Sequence, residues 1–524
     1  MIWNVLIQKR SPGNFGMDTK RHIFLTGATG LIGRYLLHGF LSQECAVTVL
    51  VRPNDRESGR ERIEKVLDPF RLSSQLIDRL QVIEGELPDF QPDLADRKKI
   101  ASCDRVVHSA ASLSFHNDSR NEPWLTNVDG TESLLKIATS LGLRRWIHIS
   151  TAYVCGLQQG NVFEEPQTNS EAQNHYEASK RRAEELVRSQ SGLNWTILRP
   201  GIVVGDSQTG FTSTYQGIYR CLQSVAFLAK RIQTDENGIR NLPLRFALSG
   251  SEQTNLVPVD WVSDAITQLS LLSDSSNKHI HLTTETPIST TKLVDAVQKF
   301  YGLTGIEFVS KNTELCSDRN VFERLFDRET KLLGPYFQND PQFDRTHVNT
   351  LLPDLKDVLV DGQFINKLLT FAEFNQWGKS EKKVTDKSQR FSCKEFFEVY
   401  FPEAAAASQL VRIHDLNALL GFEVTGEYGG LWICQIVRGN VVSIKPVESF
   451  SGNNDFHYRT DTRTLEQIVQ GQISARDAFF EQRIDIHGDI ERALLLSLLL
   501  EDLLQEIPYN AETSGMIASE RACV

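Results

Sequence analysis

Short runs of apolar, β-branched residues alternate with amphipathic stretches along the first half of the chain. HIFLTG (22–27), AVTVLVR (46–52), RVVHSA (105–110) and RWIHIS (145–150) read as strands. LIGRYLLHGFLSQ (31–43) repeats its apolar positions at helical spacing, and helical stretches precede the third and fourth strands. WTILRPGIVVG (195–205) adds a strand ending at a Pro-Gly loop. This alternation predicts βαβ units: an α/β fold with a doubly wound parallel sheet over residues 21–275. From 276 to 377 the pattern is helical and mixed, as expected of a smaller substrate-side subdomain, and RERIEKVLDPFRLSSQLIDRLQVIEGEL (60–87) reads as a long helical insertion. GKSEKKVTDKSQR (378–390) is polar and charged, which marks a linker. A third unit over 391–510 opens with FSCKEFFEVYF, continues as strands with tight turns over 419–444, and runs helix, helix, strand, helix over 463–500, an α+β pattern. Residues 1–20 read as a flexible arm and 511–524 as a frayed tail.

A chain of 524 residues exceeds a single core, and at roughly 150 residues per domain it implies two to four units. The formal charge of −11 leaves no basic stripe for phosphates, which argues against a nucleic-acid partner, and it argues against purely electrostatic docking on an anionic membrane. The eight cysteines show neither a CxxC pair nor a Cys/His ligand spacing, so no metal site is expected and reduced thiols in the cytoplasm are the default. The N-terminus lacks a long apolar core followed by a small-residue cleavage site, and both Met1 and Met17 remain open as the start. The longest strongly apolar run, 493–500, is far short of the ~20 residues of a transmembrane span.

Thr26-Gly27-Ala28-Thr29-Gly30-Leu31-Ile32-Gly33 follows a strand and opens a helix. Gly27 permits a tight turn, Gly30 lets the backbone approach a pyrophosphate, and Gly33 allows close helix–strand packing. The exposed N–H groups of the helix start then bind phosphate. The second strand ends in Val51-Arg52, where an acidic residue would accept from a ribose 2′-hydroxyl. Arg52 instead offers a guanidinium to a 2′-phosphate, with Arg56 to assist, which favours NADP(H). The alternative for Arg52 is a solvated surface arginine.

Tyr176-Glu177-Ala178-Ser179-Lys180 sets a phenol and an ammonium four apart on one helix face. An ammonium favours the phenolate, so Lys180 is expected to lower the pKa of Tyr176, which could then pass a proton to a carbonyl oxygen while hydride reaches the carbon. Thr151, at the end of the preceding strand, can hydrogen-bond the same oxygen. His108 is expected to be a satisfied, partly buried histidine.

Together TGATGLIG, VVHSAASLSF, NVDGTESLL, HISTAYVCG, YEASK and LRPGIVVGD resemble the extended short-chain dehydrogenase/reductases, a Rossmann-fold group, over residues 22–275. The resemblance implies a catalytic triad of Thr151, Tyr176 and Lys180. It implies cofactor contacts from Gly27, Thr29, Gly30, Leu31, Ile32 and Gly33, from Ser109, Ala110 and Ala111, from Asn127 and Ser150, and from Pro200, Gly201, Ile202 and Val203. Within that group HSAASLSF, the 60–87 insertion and STAYVCG resemble the fatty acyl-CoA reductases and the thioester reductase domains that release carrier-bound acyl chains, and GPYFQNDPQFDRTHVNTLLPD (334–354) resembles their substrate-side subdomain. Glu86 and Leu87 then stand beside the adenine, with Glu86 where the family has aspartate.

The third unit resembles the SCP-2 sterol-carrier family at Trp432, Gly471, Ala478, Phe479, Phe480, Gly488 and Asp489. Phe479, Phe480, Leu494, Leu498 and Leu499 supply apolar helix faces that enclose a lipid or simply fill a core. The resemblances imply an NADPH-dependent reductase of a long-chain acyl thioester, with an acyl carrier protein among its candidate partners and a lipid-binding module. The alternatives are a dehydrogenase or epimerase of a sterol or other alcohol, and a non-catalytic lipid-transfer protein.

Overall fold

A computed structural model describes residues 21–509 except 55–56, 168–169, 310–318, 332, 339–340, 379–390, 408–416, 439, 451–454, 474, 481–482, 489–492, 494–495, 497–499, 501–502 and 505. Arg56, Asp489, Leu494, Leu498, Leu499 and the Phe480 side chain lie outside the described residues, as do the expected arm, the tail and all but Gly378 of the expected linker.

Seven strands, β1 (His22–Thr26), β2 (Ala46–Val51), β3 (Leu80–Glu84), β4 (Arg105–His108), β5 (Arg145–Ile149), β6 (Asn194–Pro200) and β7 (Lys278–Leu282), form one sheet in the order β7-β6-β5-β4-β1-β2-β3. All six pairings are parallel. The helices between them are α1 (Leu31–Ser42), α2 (Gly59–Leu67), α3 (Leu94–Ala101), α4 (Gly130–Ser140), α5 (His175–Ser189), α6 (Ile218–Ala229) and α7 (Val259–Leu271). Alternation along each strand feeds two cores. Ile23 and Leu25 pack with α1 and α7 on one face, whereas Phe24 packs with α4 and α5 on the other. The order reverses between β1 and β4, and that switch point opens the crevice in which such sheets bind ligands.

Two expected elements resolve differently. The 60–87 insertion is helical only as far as Ile77, and its end is the edge strand β3, with Leu80 and Ile83 turned inward. The expected strand 195–205 breaks at Gly201. The Gly201 N–H still donates to Leu282 on β7, but the Ile202 N–H turns to the Asn255 carbonyl. Residues Ile202–Val204 therefore leave the sheet and pair with Leu256–Pro258.

Beyond the sheet, α8 (Thr290–Tyr301), α9 (Val321–Thr330), α10 (Gly334–Gln338) and α11 (Gly362–Phe374) gather around α6, which is buried on nearly every side. The C-terminal unit is a second sheet of β8 (Ala418–Thr425), β9 (Gly430–Val437), β10 (Asn440–Pro446), β11 (Phe456–Asp461) and β12 (Ile484–Gly488), ordered β10-β9-β8-β11-β12. Helices α12 (Thr462–Val469) and α13 (Ala475–Phe480) follow β11, a strand that falls outside the stretches read as strands. Its core is largely aromatic: Phe397 stacks on Trp432 at 4.7 Å and Phe422 on Tyr458 at 5.4 Å. The two units meet where Phe479 of α13 abuts Phe227 of α6, with ring centroids 4.0 Å apart. The Arg231 guanidinium covers both rings, at 3.8 and 4.8 Å.

A fully buried ion pair ties α5 to the sheet. Arg199 on β6 donates to both carboxylate oxygens of Glu184, at 2.9 and 2.7 Å. Breaking such a pair from one side strands a charge in low dielectric. Arg199→Met should therefore lower the unfolding free energy by about 3–5 kcal/mol in urea titrations. Adding Glu184→Leu should recover most of that loss.

Candidate active site

The site grows from the ends of β1, β4 and β5. Gly27 holds φ at +75°, and a Cβ there would lie 2.6 Å from the Ala110 backbone nitrogen. The glycine turn and the Ser109–Ala111 segment after β4 thus touch backbone to backbone. Gly33 is required more strictly, because its Cβ would come within 1.9 Å of the Gly27 carbonyl oxygen. Gly30 faces open space apart from that same oxygen, at 3.3 Å. It caps α1 without a side-chain hydrogen bond, and the first turn, which contains Leu31 and Ile32, carries no acidic residue. The N–H groups of that turn and the positive end of the helix therefore suit a pyrophosphate, and this cradle fits a dinucleotide.

Behind the turn, Thr26 Oγ1 contacts His108 Nδ1 at 2.8 Å and accepts from the Ala110 N–H at 3.2 Å. His108 Nε2 contacts Thr131 Oγ1 at 3.1 Å. His108 is thus satisfied and fully rather than partly buried, and burial lowers its pKa to about 3. It is a neutral strut beneath the turn.

Arg52 and Glu86 stand at the ends of β2 and β3, both exposed, in a 3.5 Å ion pair with each other. Leu87 turns into the core beside Phe90. On the far side, Pro200–Val203 wrap past Asn255, whose carbonyl would lie 2.7 Å from a Cβ at Gly201. Ser150 is buried, and its N–H donates to the Leu198 carbonyl at 2.7 Å.

The structure brings Thr151, Tyr176 and Lys180 together. Thr151 leaves β5 and caps the short turn 152–155, with its Oγ1 accepting from the Tyr153 N–H at 3.3 Å. The same hydroxyl is hydrogen-bonded to the Tyr176 phenol. Lys180, 2% exposed, donates to the Ile149 carbonyl at 2.6 Å. Desolvation pulls its amine down to about 8. Asn127 sits in a five-residue π-helical turn, Leu125–Asp129, ahead of α4. Its amide donates to the Ser112 carbonyl at 3.0 Å and to Ser179 Oγ at 2.9 Å, which joins the loop after β4 to the helix bearing Tyr176.

One electrostatic expectation is reversed. Lys180 does not lower the Tyr176 phenol. Burial and the neighbouring Glu177 carboxylate push that phenol above its ordinary value, against a downward pull from Thr151. The ammonium faces the Ile149 carbonyl instead. The phenol therefore rests in its protonated form.

Sequence reasoning missed three neighbours. Arg34 on α1 stacks over Phe211 at 5.2 Å and reaches the Thr29 carbonyl at 3.5 Å. Glu177, inside YEASK, is wholly buried and bound to Tyr336 of α10. Tyr336 belongs to an apolar cluster with Tyr153, Cys221 and Leu333, flanked by Phe115 and Phe343. Phe115 links that cluster to Tyr176, with ring centroids 6.2 Å apart. The spacing in YEASK draws attention to Tyr176 and Lys180 only, and no local pattern marks Tyr336. Among the described residues, no group of three or more His, Cys, Asp or Glu could hold a metal ion, and no helix is long and apolar enough to cross a membrane.

Residues 25–266 match the NAD-binding family described as Male sterility protein, which identifies a nicotinamide-dinucleotide segment. Residues 400–501 match the SCP-2 sterol transfer family. The chain is 34% identical over 152 residues to fatty acyl-CoA reductase 1 of Gallus gallus, covering 25% of this chain and 28% of that one. It is 24% identical over 382 residues to L-2-aminoadipate reductase of Schizosaccharomyces pombe, covering 67% and 25%. It spans about a third or less of the length of the curated relatives it matches. Among solved structures, the terminal R domain of the myxalamid PKS-NRPS pathway shares the fold, with a TM-score of 0.55 at 24% identity over 69% of this chain and 92% of that one. A thiolation-reductase di-domain from an archaeal non-ribosomal peptide synthetase does so at 0.53, with 21% identity over 69% and 77%.

The 1.9 Å approach at Gly33 yields a direct test. Gly33→Ala should displace the turn and weaken NADPH binding by about tenfold or more, equivalent to roughly 1.4 kcal/mol. Calorimetric titration reads the loss, and an unchanged far-UV circular dichroism spectrum would show that the sheet survives.

Proposed function

We propose that the protein is an NADPH-dependent reductase of a long-chain acyl thioester, carried by CoA or an acyl carrier protein, and that its SCP-2-like unit binds lipid. The observation that carries this reading is the hydrogen bond between Thr151 and Tyr176 with Lys180 buried against the end of the same strand, beside an aromatic cluster suited to an apolar chain. The names of the relatives agree with a reductase of activated acyl groups. A cytoplasmic setting goes with NADPH and reduced thiols.

When bound, the nicotinamide supplies hydride to the thioester carbon. The chain's own residues deal with the oxygen. Negative charge develops there as the carbonyl carbon becomes tetrahedral, and hydrogen bonds aimed at it stabilise the transition state. The Tyr176 hydroxyl donates a proton to that oxygen, and the Thr151 hydroxyl orients the phenol through their shared hydrogen bond. Lys180 places its positive charge behind them, fixed by the Ile149 carbonyl. Loss of the thiol from the tetrahedral centre leaves an aldehyde, and a second round gives the alcohol. Arg52 is held by Glu86 with its remaining donors exposed, which suits a 2′-phosphate. Tyr176 at rest as a phenol can donate to the oxygen that hydride addition charges. The dehydrogenase alternative uses the same triad, so the substrate assay separates the two, whereas the complete triad and glycine turn weigh against a non-catalytic lipid carrier.

With palmitoyl-CoA or a carrier-bound acyl chain, wild-type protein should oxidise NADPH. Tyr176→Phe should cut turnover by about 10²–10⁴-fold while NADPH still binds. Arg52→Asp should shift preference toward NADH, read as the ratio of kcat/KM for the two nucleotides. Lys180 carries its charge only below a pKa of about 8, so the rate should fall as pH rises through that value.

A further inference from the structure

Glu177 and Tyr336 form a charge-assisted contact between the helix that bears Tyr176 and the substrate-side segment. Tyr336 on α10 donates its hydroxyl proton to Glu177 Oε1 at 2.5 Å. The same hydroxyl accepts from Asn174 Nδ2, the cap residue of α5, at 2.9 Å. The second Glu177 oxygen accepts from the Gln173 N–H at 2.9 Å. Both carboxylate oxygens are thus engaged, in a residue with no solvent exposure. The Tyr336 ring meets Tyr153 edge-on at 5.0 Å and stacks with Phe115 at 5.9 Å, and Phe115 in turn lies 6.2 Å from the Tyr176 ring.

Building on the reductase reading, we propose that Glu177 is a positioning residue that latches α10 onto the catalytic helix through Tyr336, and so holds the wall against which the acyl chain is aligned beside Tyr176. The latch spans residues 159 apart in sequence, and it closes the apolar cluster at the point where it reaches the phenol. A carboxylate accepting from a hydroxyl binds about twice as strongly as a neutral pair, so the contact depends on the charge of Glu177. Burial raises that carboxyl to about 6, against downward pulls from Tyr336, the Gln173 amide and Arg181. The other groups facing it are the Tyr176 phenol and the Cys155 thiol, both held above their ordinary values and neutral in this range. Of the three, Glu177 is the group that changes charge near pH 6: the latch is tight above that pH and weakens below it.

Steady-state kinetics with palmitoyl-CoA from pH 5 to 8 test the proposal on the full chain, alongside hydrogen–deuterium exchange of peptides covering 333–338, corrected for the intrinsic pH dependence of exchange. Wild-type KM should rise as pH falls through about 6, and protection of 333–338 should fall in parallel. Glu177→Gln, which keeps the shape but not the charge, should abolish both pH dependences. Tyr336→Phe should raise KM about tenfold or more at pH 7.5, in line with a charge-assisted hydrogen bond, with a smaller change in kcat. The double variant should be no worse than the poorer single. Persistence of the pH-6 limb in Glu177→Gln, or multiplying effects in the double variant, would overturn the latch. If exchange follows Glu177 while no thioester is reduced by wild type, the latch stands and the reductase reading falls. If wild type turns over but neither readout responds to Glu177, the reading stands and the latch falls.

Discussion

Three buried charges on one stripe of α5 set the geometry on which the site depends. Glu177, Lys180 and Glu184 fall at i, i+3 and i+7, all on the buried side of the helix, together with Ala183 and Val187. A helix normally buries apolar residues there. Each of these charges has a partner on a different element: Tyr336 on α10, the Ile149 carbonyl on β5, and Arg199 on β6. An isolated buried charge is costly, so each contact must be satisfied in place, and three together fix the rotation and height of the helix. An apolar stripe could slip by a fraction of a turn at little cost. This one cannot, and Tyr176, one residue before Glu177, is held against Thr151 as a result.

The same economy of contacts links the glycine turn to the helix that bears Tyr176. Asn127 bonds both the loop after β4, which presses on the glycine turn, and Ser179 beside Lys180. Its π-helical turn adds a residue to the helix start and aims that amide inward. At the opposite side, Cys221 on α6 contributes to the cluster around Tyr153 and Tyr336, and Phe227, fewer than two turns further along, meets Phe479 of the C-terminal unit. One buried helix therefore forms a wall of the aromatic cluster and the seat of the SCP-2-like sheet.

What was legible in the sequence was periodic or covalently close. The strands around the glycine turn alternate cleanly, and the turn needs glycine for reasons visible in Gly27 and Gly33 alone. Tyr176 and Lys180 share a helix, so their proximity follows from spacing. The strand β3 hid inside a charged stretch because an edge strand needs only Leu80 and Ile83 turned inward. The break at Gly201 was hidden because it depends on Asn255, more than fifty residues away. Tyr336 was invisible for the same reason: its role comes from a partner on a helix distant in sequence. The sign of the Tyr176 shift could not be read either, because spacing places the ammonium near the phenol without saying which carbonyl claims it or how deeply both are buried.

That sign sets which protonation state of Tyr176 the fold holds at rest. A phenolate stabilised by an adjacent ammonium suits removal of a proton from an alcohol, whereas a phenol kept neutral by desolvation and a neighbouring carboxylate suits donation to an oxygen gaining charge. Here the carboxylate of Glu177 biases Tyr176 toward the second state, and the aromatic cluster that Glu177 holds through Tyr336 keeps the surroundings apolar. Desolvation also strengthens every hydrogen bond aimed at the reacting oxygen. Glu177, which ties the helix to α10, thus also raises the phenol beside it. A buried charge one residue from the phenol is therefore part of how this fold keeps Tyr176 protonated, second to the desolvation of the phenol itself.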